Sequence, residues 1–433
     1  MEQYMKIYDE EDNIHTFGDM LGEGGQGAVY RSNDGDVAIK INSGERSISE
    51  FKNNIERVKY TYIDNNDVIL PLVLLKKDSE GKELKGYVMR LLDDLVPLKS
   101  ITPGGANPSR FTLENMPEFL KPLFKSNKIA ACKIAHYRNT GGLRARLFIL
   151  KKIACVLSDL HTKGLVYCDL SCNNVFISDE LVKLIDADNI AYQSKVASSI
   201  YTTHYEIPEI DKGGKNSLYS DVYAFATLAF YLLTMEYPFM ETKSWDGEIS
   251  QKIWENEWID SDNFSGENSN GLRRILSTEP LSDLFKNTFD SGKLYPHKRP
   301  IMPIWIESIE NALNNVLSCN HCGMDYYDLY NEICPYCDNP KPKRVIVKSA
   351  QSRFVKEIAN SEKLAVPLSI LESVRLDNPC EILFFLEFKD NKMFIEKHHI
   401  DIHINDKKIL ARKMLDIGTI SIKDTQIHIS IEP

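Results

Sequence analysis

The sequence predicts an α+β protein. A β-rich N-terminal portion gives way to a larger helical portion that runs to residue 315, then to a short cysteine-rich ribbon and a small all-β, sandwich-like C-terminal domain. Three observations carry this reading. The stretch Leu21-Gly22-Glu23-Gly24-Gly25-Gln26-Gly27 separates two apolar runs as a hairpin turn would, and Lys40 closes the next apolar run. Cys319-Asn320-His321-Cys322 and Cys334-Pro335-Tyr336-Cys337 stand eleven residues apart. Beyond residue 390, apolar and polar residues alternate with period two in four segments parted by Asp, Asn, Lys and Gly turns.

Glycines at 22, 24 and 27 let the backbone bend sharply and bring its N–H groups against phosphate oxygens that a Cβ would obstruct. Leu21 and Val29 flank this cradle. In Val37-Ala38-Ile39-Lys40 the ammonium sits on the following strand, where it reaches α- and β-phosphates. A dinucleotide site would instead need a helix after the glycines and a suitably placed acidic residue, and neither is found. Further along, Val166-Tyr167-Cys168-Asp169-Leu170-Ser171-Cys172-Asn173-Asn174 is followed by Leu184-Ile185-Asp186-Ala187-Asp188. Phosphoryl transfer needs a carboxylate at the incoming hydroxyl and oxygen ligands for Mg²⁺. Asp169 suits the first role; Asn174 and Asp186 suit the second.

These motifs resemble those of the eukaryotic-like (Hanks-type) serine/threonine protein kinases of bacteria. The match continues through Leu160–Val166 before the catalytic loop, Tyr201–Glu209 at the close of an activation segment, Ser220-Asp221-Val222 on a buried helix, and Lys298-Arg299-Pro300. The resemblance implies a bilobal protein-kinase fold with an N-lobe over 1–92 and a C-lobe over 93–315. It also implies ATP held at a hinge containing Met89 and Leu91, and γ-phosphoryl transfer to a Ser or Thr of a protein partner or of the chain itself. Activation-segment hydroxyls at Ser198, Ser199, Thr202 and Thr203 are the expected self-labelling positions. Alternatives are a small-molecule kinase of the aminoglycoside or choline type, which the activation-segment motif opposes, and a pseudokinase scaffold, which the intact Lys40, Asp169, Asn174 and Asp186 oppose.

Several positions depart from the family. Tyr167-Cys168 replaces His-Arg, Ser171 replaces a Lys, and Asp186-Ala187-Asp188 replaces Asp-Phe-Gly, adding a carboxylate near the metal. Ile48, Phe51, Ile55 and Val58 mark a helix that would offer Lys40 a glutamate. Asn54 takes the best-phased position, and Glu56 is the next candidate. Residues 100–145 are a long connection with a loop at 102–108. Trp245, Trp254 and Trp258 are expected in a helical core.

Two Cys-x-x-Cys knuckles at this distance put Cys319, Cys322, Cys334 and Cys337 around one tetrahedral Zn²⁺, with Gly323 and Pro335 suited to the turns. The segment 316–340 therefore reads as a structural zinc ribbon. Cys168 and Cys172 read as small residues in a tight loop. Residues 339–344 read as a solvated linker, and with Lys348, Arg353 and Lys356 as a basic run without the interleaved aromatics of a nucleic-acid surface. Residues 345–433 read as a β-rich domain, a partner-binding or scaffolding module whose His398, His399, His403 and His428 are expected on solvated strand faces. The variant catalytic loop plus zinc ribbon is similar to kinases of tellurite-resistance-type operons, which implies a von Willebrand A-type protein and a PP2C-like phosphatase as partners.

A net charge of −10 over 433 residues supplies no field to draw nucleic acid or an anionic membrane. No apolar run nears the ~18 residues that a span requires. The N-terminus lacks a basic-then-apolar leader, so the expected compartment is the cytoplasm.

Overall fold

The computed structural model describes residues 6–433 except 26, 34, 45, 62, 64–66, 197–201, 211–212, 240–256, 262–272, 360–361, 377, 391, 399–400, 405–406, 410–411, 416–417 and 423–424. Ser198, Ser199, Trp245, Trp254 and His399 lie outside the described residues. The chain forms two compact units.

The first unit comprises Met1–Leu98, Leu160–Thr202 and Glu209–Asp221. Its strands β1 (Lys6–Asp9), β2 (Ile14–Gly24), β3 (Gly27–Ser32), β4 (Val37–Asn42), β5 (Pro71–Asp78) and β6 (Gly86–Arg90) close a barrel in the order β1-β2-β3-β4-β6-β5. The expected hairpin is present, with Gly22 opposite Val29 and Gly24 opposite Gly27. Helix α1 (Ile48–Lys59) starts at Ser47, whose side chain accepts from the Glu50 amide while Glu50 reaches back, a capping box. Phe51, Ile55 and Val58 are buried on its inner face; Phe51 and Ile55 pack with Ala38, Tyr87 and Met89. Strand β7 (Val96–Pro97) crosses to pair with β9.

The helical portion begins with α2 (Lys121–Ser126), α3 (Lys128–Asn139) and α4 (Gly142–Thr162). Then come β8 (Leu165–Val166), β9 (Val175–Ile177), β10 (Val182–Leu184) and β11 (Ala191–Tyr192), which pair as β8 with β11 and β9 with β10. These short hairpins fix both ends of the loop carrying Asp169 and Asn174. Helix α5 (Leu218–Thr234) starts with Asp221 in its first turn.

The second unit comprises Lys99–Asp159, Thr203–Pro208 and Val222–Pro433. Helices α6 (Arg273–Leu276), α7 (Glu279–Phe289), α8 (Ser291–Leu294) and α9 (Met302–Leu313) bring together Phe225, Phe230, Phe285 and Trp305 at ring separations of 5.2–5.4 Å. Trp258 is buried beside Phe230, as a core tryptophan should be. Strands β12 (Val316–Ser318) and β13 (Asp325–Tyr327) form the ribbon hairpin.

Beyond it lie β14 (Arg344–Lys348), β15 (Arg353–Glu357), β16 (Lys363–Pro367), β17 (Ile382–Lys389), β18 (Lys392–Lys397), β19 (His403–Ile404), β20 (Lys407–Lys408), β21 (Arg412–Leu415), β22 (Gly418–Ile422) and β23 (Thr425–Glu432). They build a six-stranded sheet, β15-β14-β23-β22-β19-β20, and a four-stranded sheet, β16-β17-β18-β21. Alternate residues of both sheets, including Val345, Val347, Phe384, Leu386, Ile395, Ile427 and Ile429, share one buried cluster. His428 faces solvent.

The reading of the basic run is corrected. Arg344 and Arg353 lie on strands, and with Lys341 they converge on the buried carboxylate of Asp328, just after β13 of the ribbon hairpin. An acidic partner that sequence spacing could not reveal turns the expected solvated linker into an internal ion cluster.

Candidate active site and metal centre

Lys40 is buried in the middle of β4, opposite Val29 on one side and Tyr87 on the other. Its Nζ lies 3.0 Å from Asp186 Oδ1 and 3.2 and 3.3 Å from the two oxygens of Asp188. Burial disfavours the ammonium, but the Asp188 and Asp186 carboxylates outweigh it and raise the Lys40 pKa above its ordinary value. The search for a helix glutamate is thereby corrected: Glu56 is exposed, and Asn54 instead donates its amide to the backbone carbonyl of Asp188. The periodicity of α1 was readable, but a partner 148 residues from Lys40 was not.

Asp169 stands between β8 and β9. Asn174 Nδ2 donates to the Asp169 carbonyl at 2.8 Å and to its carboxylate at 3.2 Å. Thr202 Oγ1 donates to Asp169 Oδ1 at 2.8 Å. Burial raises the Asp169 pKa; the Thr202 and Asn174 bonds oppose this, while Asp186 and Asp188 add to it. Asp186 sits in the left-handed region at φ +57°, and burial together with Asp188 raises its pKa against the opposing pull of Lys40. Neighbouring carboxylates whose pKa values are raised are the environment a divalent cation relieves. The oxygen donors of Asn174 and Asp186 fit Mg²⁺.

Asp221 holds the loop from below, accepting the amides of Tyr167 at 2.7 Å and Cys168 at 2.9 Å. Cys168 takes φ +77°, and Asn216 donates to its carbonyl. Cys168 and Cys172 are buried and form no disulfide. Burial pushes the Cys168 thiol well above its usual range, as suits a filler rather than a nucleophile.

Of the expected nucleotide residues, Val29, Met89 and Leu91 gather with Ala38 and Tyr87 around one apolar cluster. Leu21 is exposed at the end of β2. A Cβ at Gly22 or Gly24 would meet nothing within 4 Å, so their backbone is open to approach. Gly27 differs: its φ is +141° and a Cβ there would lie 1.9 Å from the Ile41 carbonyl oxygen.

The ribbon cysteines form a second centre in the other unit. All four Sγ atoms lie within 4.8 Å of one another, with Cys319–Cys337 and Cys322–Cys334 at 3.6 Å. Ligands about 2.3 Å from a tetrahedral zinc are separated by about 3.8 Å, so the donor set fits Zn²⁺, while disulfides would need about 2.05 Å. The two knuckles repeat one geometry. The amides of Gly323 and Asp338 donate to the carbonyls of Cys319 and Cys334, and both residues adopt positive φ. Asp338, rather than Pro335, is the counterpart of Gly323.

A sequence profile of the protein kinase domain matches residues 131–299. The chain carries a protein kinase domain. That segment contains Asp169, Asn174 and Asp186, while the glycine loop and Lys40 precede it. The chain is 27% identical over 146 residues to human protein kinase C delta type, covering 32% of this chain and 21% of that protein. A probable LIM domain-containing serine/threonine-protein kinase of Dictyostelium discoideum is 24% identical over 265 residues, 57% of this chain and 34% of its own length. Serine/threonine-protein kinase pkn2 of Myxococcus xanthus is 29% identical over 103 residues, 21% and 12% of the two chains. The chain thus spans about a third or less of the length of these relatives. Among the described residues, no helix is long and apolar enough to cross a membrane.

Proposed function

We propose that the chain is an ATP-dependent protein kinase that transfers the γ-phosphoryl group to Ser or Thr hydroxyls of a protein partner and of itself. The observation that carries this reading is the 2.8 Å bond from the Thr202 hydroxyl to Asp169. It is the contact an aliphatic acceptor hydroxyl must make with its base. Asp169 orients the acceptor and takes its proton; Lys40 binds the α- and β-phosphates; the glycine loop covers them. Val29, Met89 and Leu91 line the adenine side. Asn174 and Asp186 would hold Mg²⁺, which supplies neutralising charge to the phosphates. Cys319, Cys322, Cys334 and Cys337 would hold a structural Zn²⁺.

On the resemblance, the lobes divide near residue 92, the ribbon spans 316–340 and a β-rich partner-binding domain follows from 345. On the same ground the partners include a von Willebrand A-type protein and a PP2C-like phosphatase, and the compartment is the cytoplasm.

The test is transfer of labelled phosphate from ATP with Mg²⁺ to the protein itself or to a generic protein acceptor. Asp169→Asn should lose about 10²-fold or more, because an amide cannot accept the hydroxyl proton. Equal labelling by wild type and variant would refute the assignment.

A further inference from the structure

Lys40 must be held at a fixed point for its ammonium to serve two phosphates, and the face of α1 supplies no carboxylate to hold it. We propose, on the protein kinase reading above, that Asp188 is the positioning residue for Lys40. The phosphate-binding cation is then anchored from the segment that carries Asp186 rather than from α1.

Both Asp188 oxygens approach Nζ, at 3.2 and 3.3 Å, and the residue is only 1% exposed. Asp186 touches Nζ through Oδ1 at 3.0 Å, but it is the group assigned to the cation, whereas Asp188 offers the lysine both of its oxygens. Asp188 sits in a short 3-10 turn, Ala187–Asn189, directly after Asp186. That turn is fastened to the barrel side of the unit. Asn54 of α1 donates to the Asp188 carbonyl, Arg57 braces Asn54, and Arg46 donates to Asn189 Oδ1 at 3.4 Å. Helix α1 therefore steadies the backbone of the anchor while Asp188 makes the charged contact. The same turn sets the lysine and the cation ligand in one register.

The experiment uses the full chain with MgATP, reading kcat and KM for labelling together with the affinity for a trinitrophenyl-ATP probe. Asp188→Asn should lower kcat/KM for ATP by about 10- to 100-fold, the scale set by misplacing a binding group by an ångström. Asp188→Glu should recover part of it, and Glu56→Gln should stay within about twofold of wild type. If Asp188 acts through Lys40, adding Asp188→Asn to Lys40→Met should cost less than about twofold more, whereas a merely structural role would multiply the two losses. Multiplying losses, or a Glu56→Gln defect as large as that of Asp188→Asn, would overturn the inference. An active wild type with an unaffected Asp188→Asn sinks the inference alone; a wild type that neither binds the probe nor labels any acceptor sinks the kinase reading with it.

Discussion

The three glycines of the loop look equivalent in sequence, but they do different work. Gly27 has φ +141° and stands against the Ile41 carbonyl, so Gly27→Ala strains the β2–β3 turn and should cost about 1–3 kcal/mol. Gly22→Ala and Gly24→Ala meet open space and should leave the melting temperature within a degree or two while raising KM for ATP. Thermal melts of the three variants decide this. Asp169 offers a second test. Its pKa is raised, chiefly by burial, so the acid limb of kcat/KM should lie above the ~4 of a free aspartate. The Thr202 hydrogen bond lowers that pKa, so Thr202→Val should move the limb further up, a shift that pH–rate profiles would expose. Lys40, Asp169, Asn174 and the four cysteines could be singled out as candidates because the proposed chemistry dictates both their residue type and their spacing. The ligand of Lys40 could not, since Asp188 lies 148 residues away, whereas periodicity pointed to the helix that begins at Ile48.

Among the elements, the ribbon has too little apolar interior to fold unaided, yet its surroundings are extensive. Arg138 Nε of α3 donates to the Cys322 carbonyl at 2.7 Å, and the α4 amide of Arg144 donates to Asp325 at 2.9 Å. Arg144 also bonds the Val316 carbonyl and pairs with Glu357 of β15 at 3.0 Å. Metal affinity of about 10–16 kcal/mol is available to such a site. One zinc per chain is expected by elemental analysis. Cys334→Ser should abolish it and, because α3, α4 and β15 all lean on the ribbon, lower the melting temperature of the whole second unit rather than release a separate module. Undiminished zinc in that variant would refute the centre. Strands β18, β22 and β23 were readable from alternation, whereas β14 and β15 were hidden because Arg344 and Arg353 are satisfied by Asp328, a contact with no local signature.

At the scale of the whole molecule, Asp328 ties the ribbon to the C-terminal sheets through Arg353, Lys341 and Arg344. Burial opposes its charge, but the bonds from Arg353 and Lys341 prevail and hold the carboxyl below its ordinary range. A lowered folded-state pKa contributes stability above the unfolded value near 4, and that stability is lost as pH falls through the folded value. Asp328→Asn should therefore cost about 3 kcal/mol or more at pH 7, leaving cations without their partner. The gap from wild type should narrow below pH 4, and melts across that range would show it. A gap independent of pH would contradict this account. The same closure has a temporal side. Strand β14 pairs along its length with β23, and Arg344 grips Glu432 at 2.5 Å, so the sheet beside α9 waits for residues made some eighty positions later. On the ribosome, helices of the second unit emerge before the strands that cover them can pair. A nascent chain halted near residue 400 would keep Lys40, Asp169 and Asp186 but leave the edge of β14 that pairs with β23 open, marking it for chaperones or proteolysis.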